Sequence, residues 1–99
     1  MAAKKKLLPV HPGVILREDL DDAGVSLNRL ARDTRVPMNR ISAIANGKRS
    51  ITADTALRLA LFFGTSPQYW MNLQSNYDIA LTEYDCGERL RMDVRALVG

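Results

Sequence analysis

The side chains best suited to chemistry in this sequence are basic and amide groups gathered in one short stretch. Residues 29–49 contain six lysines and arginines, and their only acidic residue is Asp33. Guanidinium groups form paired hydrogen bonds with guanine, amide groups do so with adenine, and basic side chains neutralise phosphates. The stretch therefore indicates binding to nucleic acid. On charge alone, a solvated basic face without a partner is an equal alternative.

Groups that catalysis requires are scarce. His11 is the only histidine, and it precedes Pro12 at a predicted helix start, where a capping or packing role is favoured over that of a base. Cys86 is the only cysteine, which excludes an internal disulfide and a thiolate-cluster metal site. The sequence also lacks a Gly-rich phosphate loop and a zinc-binding His-Glu-x-x-His motif. We therefore expect a protein that is not an enzyme and uses no cofactor or metal.

Composition narrows the class of protein further. The chain has 99 residues, of which 46% are hydrophobic and 25% charged, and these values are typical of one globular domain. Lysine and arginine outnumber acidic residues ten to five in residues 1–50. No apolar run approaches the roughly 18–20 residues that span a bilayer, and the basic start has too few apolar residues for a secretory signal. We expect a cytoplasmic protein without membrane contact.

Glycines and prolines mark the boundaries of helices. Gly24, Gly47 and Gly64 each follow a segment with helical periodicity of apolar residues, as expected for a left-handed residue that ends a helix. The fold class is therefore all-α, with five helices, and the fourth is apolar almost all round and expected at the centre of the core. The pattern places these helices over 12–23, 26–34, 37–46, a segment that includes 56–63, and 67–80. The starts it indicates are His11-Pro12, Ser26, Pro37, Thr52 and Ser66-Pro67.

Residues 81–99 are expected to add a helical extension. Its apolar residues fit one helical face, which predicts either a dimer surface or a terminal helix folded back on the core. Gly87 interrupts the run, because a glycine costs about 1 kcal/mol in a helix interior. The predicted organisation is a flexible basic arm over 1–10, a helix-turn-helix domain over 11–80 and the extension over 81–99. The apolar residues of the extension are Leu90, Val94, Leu97 and Val98.

Helices 2 and 3 are short, and a tight turn at residues 35–36 joins them, which is the spacing of a helix-turn-helix. Placing Ile41 and Ile44 toward the core turns a small polar face outward, because successive helical residues differ by 100°. Such a face can enter the major groove of DNA, while the start of helix 2 and the residues after Gly47 contact phosphate. The predicted DNA-binding residues are Ser26, Asn28, Arg35, Pro37, Met38, Asn39, Arg40, Ser42, Ala43, Asn46, Lys48 and Arg49.

Residues 26–49 resemble the helix-turn-helix of the Cro and λ-repressor-like superfamily, and several motifs between residue 11 and about 80 are similar to those of the HigA-type antitoxins. This resemblance implies a homodimer that binds a palindromic operator, represses its own operon and neutralises a HigB-like, mRNA-cleaving toxin. It also implies base-facing positions at Met38, Asn39 and Ala43, with Arg40 beside them. The motifs are His11–Gly13, Val36–Ile41, Asn46–Arg49, Ile51–Leu59, Phe63–Trp70 and Asn72–Leu73.

Two positions depart from that family pattern. Arg35 stands where the superfamily usually has glycine, and a left-handed backbone there costs about 1–2 kcal/mol unless the turn is remodelled. Leu27 stands where a phosphate-binding glutamine is common, so Asn28 or backbone N–H groups would replace it. Only residues 1–10 look disordered, so a toxin would dock mainly on folded surface. The alternative function is a stand-alone phage-type repressor without a toxin partner, which predicts the same DNA-binding face.

Overall fold

The chain folds into five α-helices joined by short turns. The structure, a computed structural model, describes residues 8–98, and no residue in that range lies in a strand. The predicted all-α class is confirmed, whereas the first seven residues of the predicted basic arm lie outside the described residues. The helices are α1 (Pro12–Ala23), α2 (Leu27–Thr34), α3 (Met38–Ala45), α4 (Ala53–Phe63) and α5 (Pro67–Asp93).

Side-chain caps explain where the helices begin. Ser26, Thr52 and Ser66 each accept a hydrogen bond from the backbone N–H three residues further on, at 3.1, 3.5 and 3.2 Å. Such a cap satisfies one of the four N–H groups that a helix start leaves without a partner. Gly24 and Gly64 end α1 and α4 in the left-handed conformation. The predicted boundaries at these positions are confirmed.

The buried face of α3 packs into a single apolar core. The helix packs against α1 and α2, while α4 packs against α2 and α5. Because every helix contributes to one core, the position of α3 depends on the whole domain. The fully buried side chains include Leu16 from α1, Leu30 from α2, Ile41 and Ile44 from α3, Leu59 from α4 and Trp70 from α5.

The prediction that α4 lies at the centre of the core is correct for one face of the helix only. Ala56, Leu59 and Ala60 face the core, but Leu57 and Leu61 are exposed on the opposite side of the helix. The run over 56–63 is apolar apart from Arg58, yet α2 and α5, the helices packed on α4, cover only one of its faces. An apolar strip of α4 is therefore left at the surface.

The predicted helical extension is helical as far as Asp93, as the last part of α5. The backbone of Cys86 leaves the helical conformation (φ −149°, ψ 17°), so α5 is bent at this residue. Gly87, which follows the bend, is buried under the side chain of Glu83, and Glu83 forms an ion pair with Arg91 across the bend at 2.6 Å. Only Leu90 of the predicted apolar face is helical, because Val94, Leu97 and Val98 follow the end of α5.

Candidate nucleic-acid interface

The turn between α2 and α3 orients the two helices through backbone hydrogen bonds. The Val36 N–H donates to the Ala31 carbonyl at 3.1 Å, and the Val36 side chain is buried. Pro37 precedes the first turn of α3, and its carbonyl accepts from the N–H groups of Arg40 and Ile41 at 3.0 and 3.1 Å. The turn is therefore short and held at both ends, as a helix-turn-helix requires.

Arg35 adopts the left-handed conformation, with φ 57° and ψ 40°. It is the one residue other than glycine with a positive φ in the part of the chain that the structure describes. The turn thus keeps the geometry for which glycine is usual. A side chain in this conformation costs about 1–2 kcal/mol, because Cβ crowds the following carbonyl oxygen.

Replacing Arg35 by glycine is expected to stabilise the domain. Relief of the backbone crowding outweighs the greater chain entropy that glycine brings to the unfolded state, and a gain of about 0.5–1 kcal/mol in the free energy of unfolding follows. Urea denaturation of the purified protein measures this quantity. Arg35→Ala is the matched control because it removes the guanidinium and keeps Cβ. An equal gain in Arg35→Ala would assign the cost to charge and not to the backbone.

The outer face of α3 presents polar side chains to solvent. Ile41, Ile44 and Ala45 are buried, so the opposite side of the helix faces outward as predicted. Asn39 is exposed there, and its side chain has no hydrogen-bond partner within residues 8–98. The predicted DNA-binding residues divide by exposure: Ser26, Asn28, Arg35, Pro37, Met38, Asn39, Asn46, Lys48 and Arg49 are exposed, whereas Arg40, Ser42 and Ala43 are half-buried.

Arg40 lies on the flank of this face. The Nε atom of its guanidinium is buried and has no hydrogen-bond partner among the described residues. A buried donor without an acceptor is costly, by about 1–3 kcal/mol. The inner part of the Arg40 side chain therefore lies along the protein, and only the outer part of the guanidinium is available to another molecule.

Arg17 of α1 holds the end of α3. Its Nε donates to the Ala45 carbonyl at 3.0 Å, and its Nη2 donates to the Asn46 side-chain oxygen at 2.6 Å. The Asn46 amide nitrogen donates in turn to the Ser42 hydroxyl at 3.3 Å. Arg17 also borders a shallow cleft with Ser26 at the start of α2. Arg17 therefore holds the end of α3 and lies beside the start of α2, and both of these helix ends are predicted to contact DNA.

The role of Arg17 could not be predicted from the sequence. Its partners lie 28 and 29 residues further along the chain, and such distances leave no mark in a helical pattern. The one available signal is that Arg17 is the only basic residue of α1, which otherwise carries four acids.

The loop after α3 is basic, exposed and anchored at its far end. The Lys48 N–H donates to the Ala43 carbonyl at 2.8 Å, and both Lys48 and Arg49 are exposed. Gln74 of α5 is buried, and its side-chain oxygen accepts from the Ile51 N–H at 2.8 Å. Gln74 was also not identified from the sequence, because nothing local distinguishes it from a surface glutamine.

Gly13 marks the closest approach of α1 to α3. A Cβ atom at this position would overlap the backbone oxygen of Ile44 and come within 3.0 Å of the oxygen of Ala45. The absence of a side chain at Gly13 is therefore what lets α3 lie as close to α1 as it does.

His11 connects α1, α5 and the basic loop. Its Nδ1 accepts from the Gly13 N–H at 2.9 Å, and its ring packs edge-on against Tyr77, with 4.9 Å between ring centroids. The capping and packing role predicted for His11 is confirmed. Burial lowers the pKa of His11 from 6.5, although a hydrogen bond to the Arg49 backbone and the carboxylate of Asp78 oppose this shift.

The stability of the domain is expected to fall as the pH decreases through the range in which His11 titrates. The folded protein binds a proton at His11 less readily than the unfolded chain, so stability rises with pH between the two pKa values. The stability that neutral His11 contributes is fully present above the pKa of about 6.5 in the unfolded chain. It is lost as the pH falls through the lower pKa of His11 in the folded protein. Protonation also removes the lone pair that caps α1.

Urea denaturation between about pH 7.5 and pH 5 measures this dependence, and His11 is the only histidine in the chain. His11→Asn is the matched control, because asparagine can cap a helix but does not titrate. The slope should disappear in this variant. A slope of equal size in both proteins would show that other groups are responsible.

The arrangement of exposed polar and basic groups is suited to binding. Within the described range, no three or more His, Cys, Asp or Glu side chains are grouped so that they could hold a metal ion. No helix between residues 8 and 98 combines the length and apolar character needed to cross a membrane. The candidate site is the exposed polar face of α3, flanked by the basic loop that follows α3 and by the start of α2.

Comparisons with known proteins agree with this geometry. A helix-turn-helix family model matches residues 16–70. The chain is 45% identical to virulence-associated protein I of Dichelobacter nodosus over 85 residues, which cover 85% of this chain and 79% of that protein. It is 49% identical to an addiction module antidote protein of the HigA family from Coxiella burnetii, with a TM-score of 0.87 over 91% of this chain and 99% of the other.

A second solved structure was determined with DNA. The Pseudomonas aeruginosa antitoxin HigA with the higBA promoter is 40% identical, with a TM-score of 0.86 over 91% of this chain and 99% of the other. In both cases the similarity covers 91% of this chain, so it extends beyond residues 16–70, which the family model matches.

Proposed function

Because this chain belongs to the HigA-type antitoxins of the helix-turn-helix family, we propose that it binds the operator of its own operon as a homodimer and represses it. The observation that carries this proposal is the exposed polar face of α3, on which Asn39 has no partner in the described chain. Lys48 and Arg49 of the basic loop neutralise phosphates beside it. The solved promoter complex of the similar P. aeruginosa antitoxin supports the same use of the fold.

On this proposal α3 enters the major groove, and the twelve predicted residues divide into two groups. Met38, Asn39 and Ala43 contact base edges, with Arg40 beside them. The others fix the position of the protein on the DNA backbone. An asparagine amide can bond the N6 and N7 atoms of adenine together, so Asn39 supplies the sharpest base discrimination.

We infer a homodimer because one chain supplies only one α3 helix. One α3 reads one half-site, and a palindromic operator needs two copies of α3 about 34–36 Å apart. The second copy of the chain packs on α5, where Ile79 is 68% exposed and borders an apolar groove with Thr82 and Leu90 beside the bend. Burial of such apolar surface is the usual driving force for association.

We further propose that the protein neutralises a HigB-like toxin by direct binding in the cytoplasm, and that its own activity is binding and not catalysis. Family membership supports this part of the proposal. The alternative, a phage-type repressor without a toxin, predicts the same DNA complex. Gel filtration of the protein with the toxin encoded beside its gene separates the two, because only the antitoxin forms a stable complex.

The experiment that tests DNA binding is a titration with DNA from the region upstream of its own gene and with scrambled DNA, at two salt concentrations. We expect strong preference for the upstream DNA, with two chains bound per operator. Equal and salt-sensitive binding to both DNAs would contradict the proposal. In that case the basic face would bind DNA only through electrostatic attraction that does not depend on sequence.

Two variants, one single and one double, distinguish base contacts from phosphate contacts. Asn39→Ala should weaken operator binding about 5- to 150-fold and leave binding to scrambled DNA unchanged, because it removes about 1–3 kcal/mol of base discrimination. The Lys48→Ala, Arg49→Ala double variant should weaken binding to both DNAs and reduce the salt slope by about one for each charge removed. An Asn39→Ala protein with intact operator preference would place the base contacts elsewhere.

A further inference from the structure

We propose that Arg17 is a positioning residue that fixes the side-chain amide of Asn46 and thereby makes Asn46 a hydrogen-bond donor to a DNA phosphate, not a reader of adenine. This inference rests on the proposed function, because it concerns the use of α3 on DNA. It distinguishes Asn46 from Asn39, which stands on the same outward face.

The orientation of the Asn46 amide follows from the chemistry of its partner. A guanidinium group has only donors, so the Asn46 atom at 2.6 Å from Nη2 of Arg17 must be the amide oxygen. The second bond, from Nε of Arg17 to the Ala45 carbonyl at 3.0 Å, fixes the plane of the guanidinium. The bond to Ala45 thus fixes the planar guanidinium against the end of α3, and its Nη2 holds the Asn46 amide oxygen in place.

That orientation determines which hydrogen bonds Asn46 can still make. Its oxygen is engaged in a charge-assisted bond, which is about twice as strong as a neutral one. Its nitrogen donates one hydrogen to the Ser42 hydroxyl at 3.3 Å. The second amide hydrogen has no partner among the described residues, and a donor of this kind matches a phosphate oxygen.

Asn39 differs from Asn46 in each of these respects. Its oxygen and nitrogen both lack protein partners within residues 8–98, so both are available for the paired contact with adenine. Asn46 follows the last residue of α3 and adjoins Lys48 and Arg49, the exposed basic pair. Its place beside these cations favours the DNA backbone over the base edges.

The test uses Arg17→Lys, Asn46→Ala and the double variant in full-length protein. Lysine keeps the charge but cannot fork to two acceptors as arginine does. We expect Arg17→Lys to weaken operator binding about tenfold with an unchanged salt slope. The same change made in the Asn46→Ala protein should weaken binding less than threefold, because Arg17 acts through Asn46. Equal losses in both backgrounds would overturn the proposal.

A second measurement tests the hydrogen bond between Arg17 and Asn46 in the absence of DNA. The side-chain amide resonances of Asn46 in an 15N-labelled protein should shift in Arg17→Lys and keep their positions in Arg58→Lys. Arg58 is the matched control because it also forks, to Asp54 at 2.8 Å and to the Thr34 carbonyl at 3.0 Å, but on other helices. Unchanged Asn46 resonances in Arg17→Lys would overturn the proposal even if the protein binds its operator. Failure of the wild type to prefer its operator would instead refute the proposed function.

The phosphate contact is tested by replacing the operator phosphates one at a time with uncharged methylphosphonates. One replacement should weaken wild-type binding and have little further effect on the Asn46→Ala protein. If no phosphate depends on Asn46, the proposal is refuted.

Discussion

Gly13→Ala is expected to destabilise the domain by about 2–3 kcal/mol and to weaken operator binding at least tenfold. The added Cβ would overlap the backbone oxygen of Ile44, and a backbone atom cannot move away as a flexible side chain can. The helix α3 must shift relative to α1 to relieve the overlap. Such a shift displaces the face that bears Asn39 and disturbs the hydrogen bonds from Arg17, so binding should fall further than the loss of folded protein explains.

Gly87→Ala is the control for this substitution. A Cβ at Gly87 would overlap the carboxylate end of Glu83, which is a side chain that can rotate away. The cost is then at most the exposed ion pair with Arg91, which is worth less than about 1 kcal/mol. Urea denaturation gives the two stabilities, and titration with operator DNA gives the affinities. Equal losses in the two variants would show that the approach of α1 to α3 is not tightly constrained.

Trp70→Ala is expected to cost about 3–5 kcal/mol, the range for removing a large aromatic side chain from a core. Trp70 is 0% exposed and packs against Phe63 and Tyr69, with ring centroids 5.4 and 4.9 Å away. Its indole N–H donates to the Thr65 hydroxyl at 3.1 Å. Since a domain of this size has a total stability of about 5–15 kcal/mol, this loss would remove a large share of it and lower the thermal midpoint accordingly.

Tyr69→Ala provides the comparison for Trp70, because the two aromatic residues are adjacent on α5. Tyr69 is 37% exposed, and its hydroxyl bonds to Asp19 at the surface. We expect a loss of about 1 kcal/mol, measured as a shift in the thermal and urea midpoints. A loss as large as that of Trp70→Ala would mean that the contact between the rings, and not burial of the indole, carries the stability.

Local signals in the sequence were sufficient for most helix boundaries. Ser26, Thr52 and Ser66 are capping residues by type, and Gly24 and Gly64 end helices because they adopt the left-handed conformation readily. These effects act within a few residues of the chain. The sequence therefore predicts them without knowledge of the packing.

What the sequence did not predict depends on contacts between distant residues. Arg17 donates to Ala45 and Asn46, and Gln74 accepts from Ile51, so these hydrogen bonds join residues 23 to 29 positions apart in the chain. The exposed side of α4 depends on how many helices pack around it. Arg35 is an intermediate case, because the family resemblance identified the strained position, but only the structure shows that the left-handed backbone is kept.

The bond between Ile51 and Gln74 has a consequence for the dynamics of the basic loop. The Ile51 amide is buried, and its acceptor is a side chain of α5 rather than a backbone group of its own segment. Its hydrogen is shielded by the packing of α5 on the loop, so its exchange with solvent reports the opening of that contact. Ile51, although it lies in a loop, should therefore be protected from exchange.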